Sequence, residues 1–300
     1  MSSLTEDILA LKKERGAVIL AHNYCLPEVQ DIADHVGDSL GLSIIASKAD
    51  AEVIVFCGVT FMAESAKVLN PKKKVLMPEP HATCPMASMC SAEQILDAKN
   101  CYKDAAVVGY VNTTASAKAE MDICCTSSNA VRIVSSMKEK EIIFVPDVNL
   151  GTYVASKVPS KNIILWNGYC PVHQAITVQN ITDMKARYPK AVVVAHPECR
   201  KEVLDIADEI GSTERMIEFA KTSGSKEFIV ATEIGLGHRL MKECPGKVFR
   251  FIDHALCSVM KMTSLPSVLK ALETMGTEVM LDAGTIERAG RPLGKMIGMK

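Results

Sequence analysis

The 300-residue chain is 48% hydrophobic and 23% charged, with 34 basic against 35 acidic side chains, which fits a globular chain and excludes a disordered one or a fibre. A formal charge of −1 and only 7 Phe, 6 Tyr and 1 Trp offer neither an electrostatic footprint nor stacking platforms for nucleic acid. The longest apolar stretch, Ala51 to Val59, is broken by Glu52 and falls far short of the roughly 20 residues of a membrane-spanning helix, so no membrane partner is expected either.

Residues 1–16 place Leu4, Ile8 and Leu11 on one helical face beside Glu6, Asp7 and Glu14. This reads as a packed amphipathic helix and not a secretion signal, so a cytoplasmic protein is expected. Eleven cysteines, an odd number in a long chain, argue against a disulfide framework and direct attention to metal or redox chemistry.

The first strand, Ala17-Val-Ile-Leu-Ala-His-Asn-Tyr24, ends in polar residues. The segment from Cys25 to Asp38 beside it is a candidate lid. A helix starts at Asp38-Ser39, a second strand runs from Glu52 to Gly58, and a third, from Lys74, leads to Cys84. The same order then recurs. Ala105-Ala-Val-Val-Gly-Tyr-Val-Asn112 precedes Thr126-Ser127-Ser128, the strand Glu141–Asp147, and a strand from Asn162 leading to Cys170. Ala191-Val-Val-Val-Ala-His-Pro-Glu198 precedes Gly211-Ser212-Thr213, the strand Glu227–Glu233, and a strand from Lys247 leading to Cys257. His22, Tyr110 and His196 are spaced 88 and 86 residues apart, and Cys84, Cys170 and Cys257 are spaced 86 and 87.

A shared period near 87 residues predicts an α/β fold of three homologous α/β/α sandwich units with parallel sheets, set with pseudo-threefold symmetry around a central site. The expected units span 1–86, 87–172 and 173–263. A C-terminal segment, 264–300, with a helix over Leu265–Met275 and a strand over Glu278–Leu281, is expected to pack back on the first. Ligands of parallel sheets sit beyond the carboxyl ends of the strands, where all the repeated polar residues fall.

Three cysteines, one per unit, suit a 4Fe-4S cluster with one iron left open, a Lewis acid for substrate. A second reading pairs His81-Ala-Thr-Cys84 with His254-Ala-Leu-Cys257 in a closed zinc site; it strands Cys170. Cys90 is a further candidate ligand. His22 and Tyr24, Tyr110 and Asn112, and His196 and Glu198 alternate along their strand ends, so each pair points one way. Imidazole, phenol and carboxylate are the groups that move protons in condensation and dehydration. Ser39, Ser127 and Thr213 read either as helix N-caps or as anion contacts. Electron transfer, a zinc-stapled binding protein and another polycarboxylate hydro-lyase are the competing functions.

Taken together, His22-Asn-Tyr24, Ala82-Thr-Cys84, Tyr110-Val-Asn112, Thr126-Ser-Ser128, Gly168-Tyr-Cys170 with Val172-His173, His196-Pro-Glu198 and Cys257-Ser-Val-Met-Lys261 resemble the quinolinate synthases, iron-sulfur enzymes of de novo NAD synthesis. The resemblance implies condensation of iminoaspartate with dihydroxyacetone phosphate to quinolinate, phosphate and water. It also implies one 4Fe-4S cluster per chain on Cys84, Cys170 and Cys257, and substrate contacts from His22, Ser39, Tyr110, Val111, Asn112, Ser127, His173, His196, Pro197, Glu198 and Thr213. Tyr24 and Glu198 are the expected proton carriers, with Tyr110 and His196 assisting. Aspartate oxidase or aspartate dehydrogenase is the implied transient partner supplying iminoaspartate. The Cys-x-x-Cys-x-x-Cys run that some bacterial members of the family carry at the last ligand reads Cys257-Ser-Val-Met260-Lys-Met-Thr263 here, which leaves a regulatory disulfide there without its partners.

Overall fold

A computed structural model describes residues 3–48 and 50–299. Among the described residues, twelve strands form three separate four-stranded sheets. The first holds β1 (Ala17–His22), β2 (His35–Gly37), β3 (Val53–Cys57) and β4 (Lys74–Leu76). The second holds β5 (Ala106–Tyr110), β6 (Ile123–Cys125), β7 (Glu141–Val145) and β8 (Asn162–Leu165), and the third β9 (Val192–Ala195), β10 (Glu209–Ile210), β11 (Glu227–Ala231) and β12 (Val248–Phe251). Each sheet is wholly parallel and has one order, with its second strand at one edge, then its first, third and fourth.

The apolar runs of the sequence explain the two inner strands. Parallel strands covered by helices on both faces are hydrophobic at successive positions, and β3 and β5 are buried along their whole length. Alternate side chains feed opposite faces. In the third sheet Val193 and Ile229 join Ile176 and Ile181 on one side, whereas Val194, Phe228 and Val230 meet Met216, Ile217 and Leu240 on the other.

The short edge strands β2, β6 and β10 were not among the expected elements, because two or three residues carry no hydrophobic pattern. They are placed by an aspartate at the same point of each unit. Asp34, Asp122 and Asp208 accept the N–H of Ile19, Val107 and Val193, each at 2.8 Å, and return their own N–H to the same three residues.

A helix leads into each unit: Leu4–Glu14, Ala92–Cys101 and Val178–Arg187. The first has the capping box of Ser3 and Glu6 that its sequence requires. Helix Leu265–Thr274 places Val268 and Leu272 beside Ile8 on the outer face of the first sheet. The expected strand over Glu278–Leu281 is not formed. Only Glu278 bridges Leu76, because Asp282 caps the next helix, Ala283–Gly298, four residues on. That helix sets Ala289, Leu293 and Met296 into a core shared by the first and second units. The tail therefore binds the second unit as well as the first. Among the described residues no helix is long and apolar enough to cross a membrane.

Candidate active site

The carboxyl ends of the three sheets open on one cavity lined from all three units. His22, Tyr24, Tyr110, Asn112, His173, His196 and Glu198 line it, as do Ser39, Ser127, Thr213 and the cysteines Cys84, Cys170 and Cys257. Val111 and Pro197 lie buried between lining residues without lining the cavity themselves.

Equivalent strand ends are built alike. Tyr24 N–H donates to His22 Nδ1 at 3.2 Å, and Glu198 N–H donates to His196 Nδ1 at 3.3 Å. Each ring thereby carries its proton on Nε2. Burial, helped by the charge of Lys261, lowers His22 to about 3. Burial likewise takes His196 to about 3, against an opposing pull from Glu198. Both rings are neutral donors near pH 7.

The three hydroxyls do not cap their helices. Capping falls one residue earlier in two units: Gly41 N–H donates to Asp38 Oδ1 at 2.7 Å, and Arg215 N–H to Ser212 Oγ at 3.4 Å. Thr213 accepts from Asn23 Nδ2 at 2.8 Å. Ser39 and Ser127 have no side-chain partner among the described residues and line the cavity.

The cysteine loops also repeat. Thr60, Val148 and Ile234 donate their N–H to the carbonyls of Ala82, Gly168 and Ala255, two residues before each cysteine. Gly168 is needed for this approach, since a Cβ there would lie 2.5 Å from Pro146 O. Cys170 N–H donates to Asp147 Oδ2 at 3.1 Å, and Cys257 N–H to Glu233 Oε1 at 3.0 Å. Val59 stands at the matching place of the first unit. The thiols accept backbone N–H groups just beyond them, from Met86 and Ala87, from His173, and from Val259 and Met260. Burial outweighs these bonds, raising Cys84 to about 12 and Cys170 and Cys257 above the usual thiol range.

A web of polar contacts centres on Glu198. Tyr110 donates its phenolic O–H to Glu198 Oε1, and His173 Nδ1 lies 2.8 Å from Oε2. Burial pushes the Glu198 carboxyl up, but His173 and His196 beside it and the bond from Tyr110 hold it at about 2, so it is ionised. Burial, then the Glu198 charge, keeps Tyr24 and Tyr110 well above ordinary phenols. The expected lid, Cys25 to Asp38, is tied to the third unit, with Gln30 Nε2 donating to Gly235 O at 3.1 Å and His238 Nε2 lying 2.7 Å from Asp31 Oδ1.

The family model described as Quinolinate synthetase A protein matches residues 6–298. A quinolinate synthase of Methanoregula boonei is 49% identical over 297 residues, covering 99% of this chain and 98% of its own. Those of Dehalococcoides mccartyi (strain CBDB1) and Aquifex aeolicus are 53% identical over 273 residues (91% and 90% covered) and 46% over 303 (99% and 94%). The chain belongs to the quinolinate synthase family. It is an enzyme of an iron-sulfur family of NAD biosynthesis.

The donor set suits the iron-sulfur group of quinolinate synthases. Three free thiols from three units line the cavity, and Cys90 is buried outside it. The one close group of ligand atoms among the described residues is Cys170, His173 and Glu198, within 4.8 Å of one another; the three thiols are spread more widely than a single ion allows. Asn112 Oδ1 is buried without a partner at the cavity wall, a place for a ligand's donor. The two-histidine, two-cysteine zinc site is not formed, because His81 and His254 are exposed and line no part of the cavity.

Sequence reasoning gave no role to Asp38, Asp147, Thr232 or Glu233. Burial, then the charge of Glu214, raises Asp38 to about 6 at the cavity wall. Asp147 and Glu233 follow the repeated second strands 86 residues apart, a signal present in the period itself.

Proposed function

We propose that the enzyme condenses iminoaspartate with dihydroxyacetone phosphate, giving quinolinate, one phosphate and two waters. One observation carries the reading: a cysteine from each unit lines the cavity that also holds the buried phenol of Tyr110, the half-buried phenol of Tyr24, an ionised glutamate and two neutral imidazoles. Cys84, Cys170 and Cys257 would hold one 4Fe-4S cluster per chain, which supplies a Lewis-acid iron that no cysteine occupies.

The chain's own residues do the rest. Ser39 and Ser127, whose hydroxyls have no side-chain partner among the described residues, and Thr213 bind carboxylate or phosphate oxygens, where helix N-termini favour negative charge. His22 and His196 donate from Nε2, and Asn112 Oδ1 accepts from a substrate O–H or N–H. Glu198, ionised, takes the proton that isomerisation of the triose moves from carbon. Tyr24, with Tyr110 assisting, returns a proton to the departing hydroxyl, for which a neutral phenol is suited. His173 holds the second carboxylate oxygen of Glu198. Iminoaspartate is made by oxidising aspartate, so aspartate oxidase or aspartate dehydrogenase is the supplier. Eleven unpaired cysteines suit the reducing cytoplasm.

The test is anaerobic incubation of the iron-loaded enzyme with dihydroxyacetone phosphate and iminoaspartate generated in place, with quinolinate quantified by mass. Quinolinate formed only when both substrates and the enzyme are present supports the reading. Its absence at full iron loading would overturn it.

A further inference from the structure

Asn23 stands between two cavity residues, His22 and Tyr24, yet is fully buried and turns away from them, against the third unit. Its amide has three side-chain partners there. Asn23 Nδ2 donates to Thr213 Oγ1 at 2.8 Å and to Glu214 Oε1 at 3.4 Å, while Arg239 Nη1 donates to Asn23 Oδ1 at 3.0 Å. Arg239 is itself held, since both its Nη atoms donate to the Glu214 carboxylate and its Nε donates to Glu243.

These partners fix which way the amide faces. A guanidinium only donates and an ion-paired carboxylate only accepts, so the amide oxygen faces Arg239 and its nitrogen faces Glu214 and Thr213. The Thr213 oxygen therefore receives a hydrogen, and its own hydrogen goes elsewhere. Thr213 opens the helix Thr213–Thr222, lines the cavity and has no other side-chain partner among the described residues. Its hydrogen is left for an acceptor in the cavity.

The other two hydroxyls lack this control. Val111 and Pro197 occupy the places matching Asn23, and Ser39 and Ser127 have no side-chain partner among the described residues. Ser39 and Ser127 can each donate or accept, whereas Thr213 can only donate. Two units are built without an amide at this place, so the packing of a unit does not require one.

We infer that Asn23 is a positioning residue for substrate: held by Arg239, its amide makes Thr213 a hydrogen-bond donor alone and reserves that side of the cavity for an anionic oxygen, of a carboxylate or a phosphate. The inference rests on the function proposed above, in which both kinds of oxygen reach the cavity. An N–H group is refused at Thr213 because the hydroxyl has no lone pair turned toward it.

Asn23→Asp keeps the shape and still accepts from Arg239, but sets an oxygen against Thr213. The Thr213 hydrogen then goes to that oxygen, and its lone pairs face the cavity. The iron-loaded enzyme is titrated by calorimetry with succinate, a stable four-carbon dicarboxylate, and with inorganic phosphate. Asn23→Asp should weaken the probe whose oxygen Thr213 receives by about tenfold or more, the size of a lost hydrogen bond to a charged group. Which probe weakens tells carboxylate from phosphate. The added negative charge is controlled by Thr213→Val: with no hydroxyl to turn, bringing in Asn23→Asp should change affinity by less than about twofold. Unchanged binding of both probes, or an Asn23→Asp loss as large beside Thr213→Val as alone, would overturn the inference. Neutron diffraction from the iron-loaded wild type needs no turnover and so separates the inference from the proposed function. Hydrogens from Asn23 Nδ2 toward Thr213, and from Thr213 into the cavity, are expected. A Thr213 hydrogen pointing at Asn23 would overturn the inference even in an enzyme that forms quinolinate.

Discussion

Asp147 holds Cys170 through the backbone: the cysteine N–H donates to Asp147 Oδ2 at 3.1 Å while Oδ1 caps the helix Val148–Lys157 through Leu150 N–H at 2.6 Å. One fully buried carboxyl thus joins a helix start to a candidate cluster ligand. Asp147→Ala strips a cap and leaves a buried N–H unpaired, at a combined cost of roughly 2–4 kcal/mol. Denaturant unfolding should show that loss, and a chelator should draw iron from the variant faster. Unchanged unfolding and unchanged iron release would remove Asp147 from this role.

The three-unit architecture was legible because the chain repeats it. Central strands such as Val53–Cys57 are apolar at every position, and the period marked their ends. Edge strands such as Glu209–Ile210 were not legible, since a two-residue strand is fixed by the bond from Val193 N–H to Asp208 and not by hydrophobic pattern. The tail strand failed for the opposite reason. Val279 and Leu281 suggested a strand, but the cap at Asp282 ends the segment before a ladder can extend.

At the cavity, side chains carrying the repeat were found, while those supporting them were missed. Thr232 looked like the end of an ordinary strand, and only the fold brings it against Tyr24, 208 residues away in sequence. The cap reading of Ser39 and Ser127 could not be separated from ligand contact by residue type. The structure removes the cap reading, since among the described residues neither hydroxyl has a side-chain partner and both line the cavity.

Glu198→Gln removes the ionised carboxylate and keeps its size. Turnover should fall on the order of 10²-fold or more, as for loss of an acid/base group, while the iron spectrum stays as in the wild type. Near-normal turnover would take Glu198 out of proton transfer.

Ser127→Ala deletes a hydroxyl with no side-chain partner among the described residues, so stability should change by less than about 0.5 kcal/mol. Titration with dihydroxyacetone phosphate and with iminoaspartate should show weakened binding of one of them. Unaltered binding of both would mean that Ser127 contacts neither.

His22 and His196 are held near 3 in the fold against 6.5 for a free imidazole, chiefly by burial. Between pH 6.5 and 3 the unfolded chain binds a proton at each ring that the folded chain refuses. Their stabilisation is therefore present above pH 6.5 and is lost as pH falls through that window, by about 1.4 kcal/mol per pH unit for each ring. Urea unfolding of the metal-free chain at stepped pH checks the slope. His22→Asn should remove one ring's share, and an identical slope in the variant would contradict the assignment.

The most direct test of the central claim is iron and acid-labile sulfide per chain after anaerobic purification, for the wild type beside Cys170→Ala. About four irons and four sulfides in the wild type, lost or much reduced in the variant, are predicted for one cluster held by three units. Zinc without labile sulfide in both proteins, or full iron and sulfide in the Cys170→Ala variant, would contradict it.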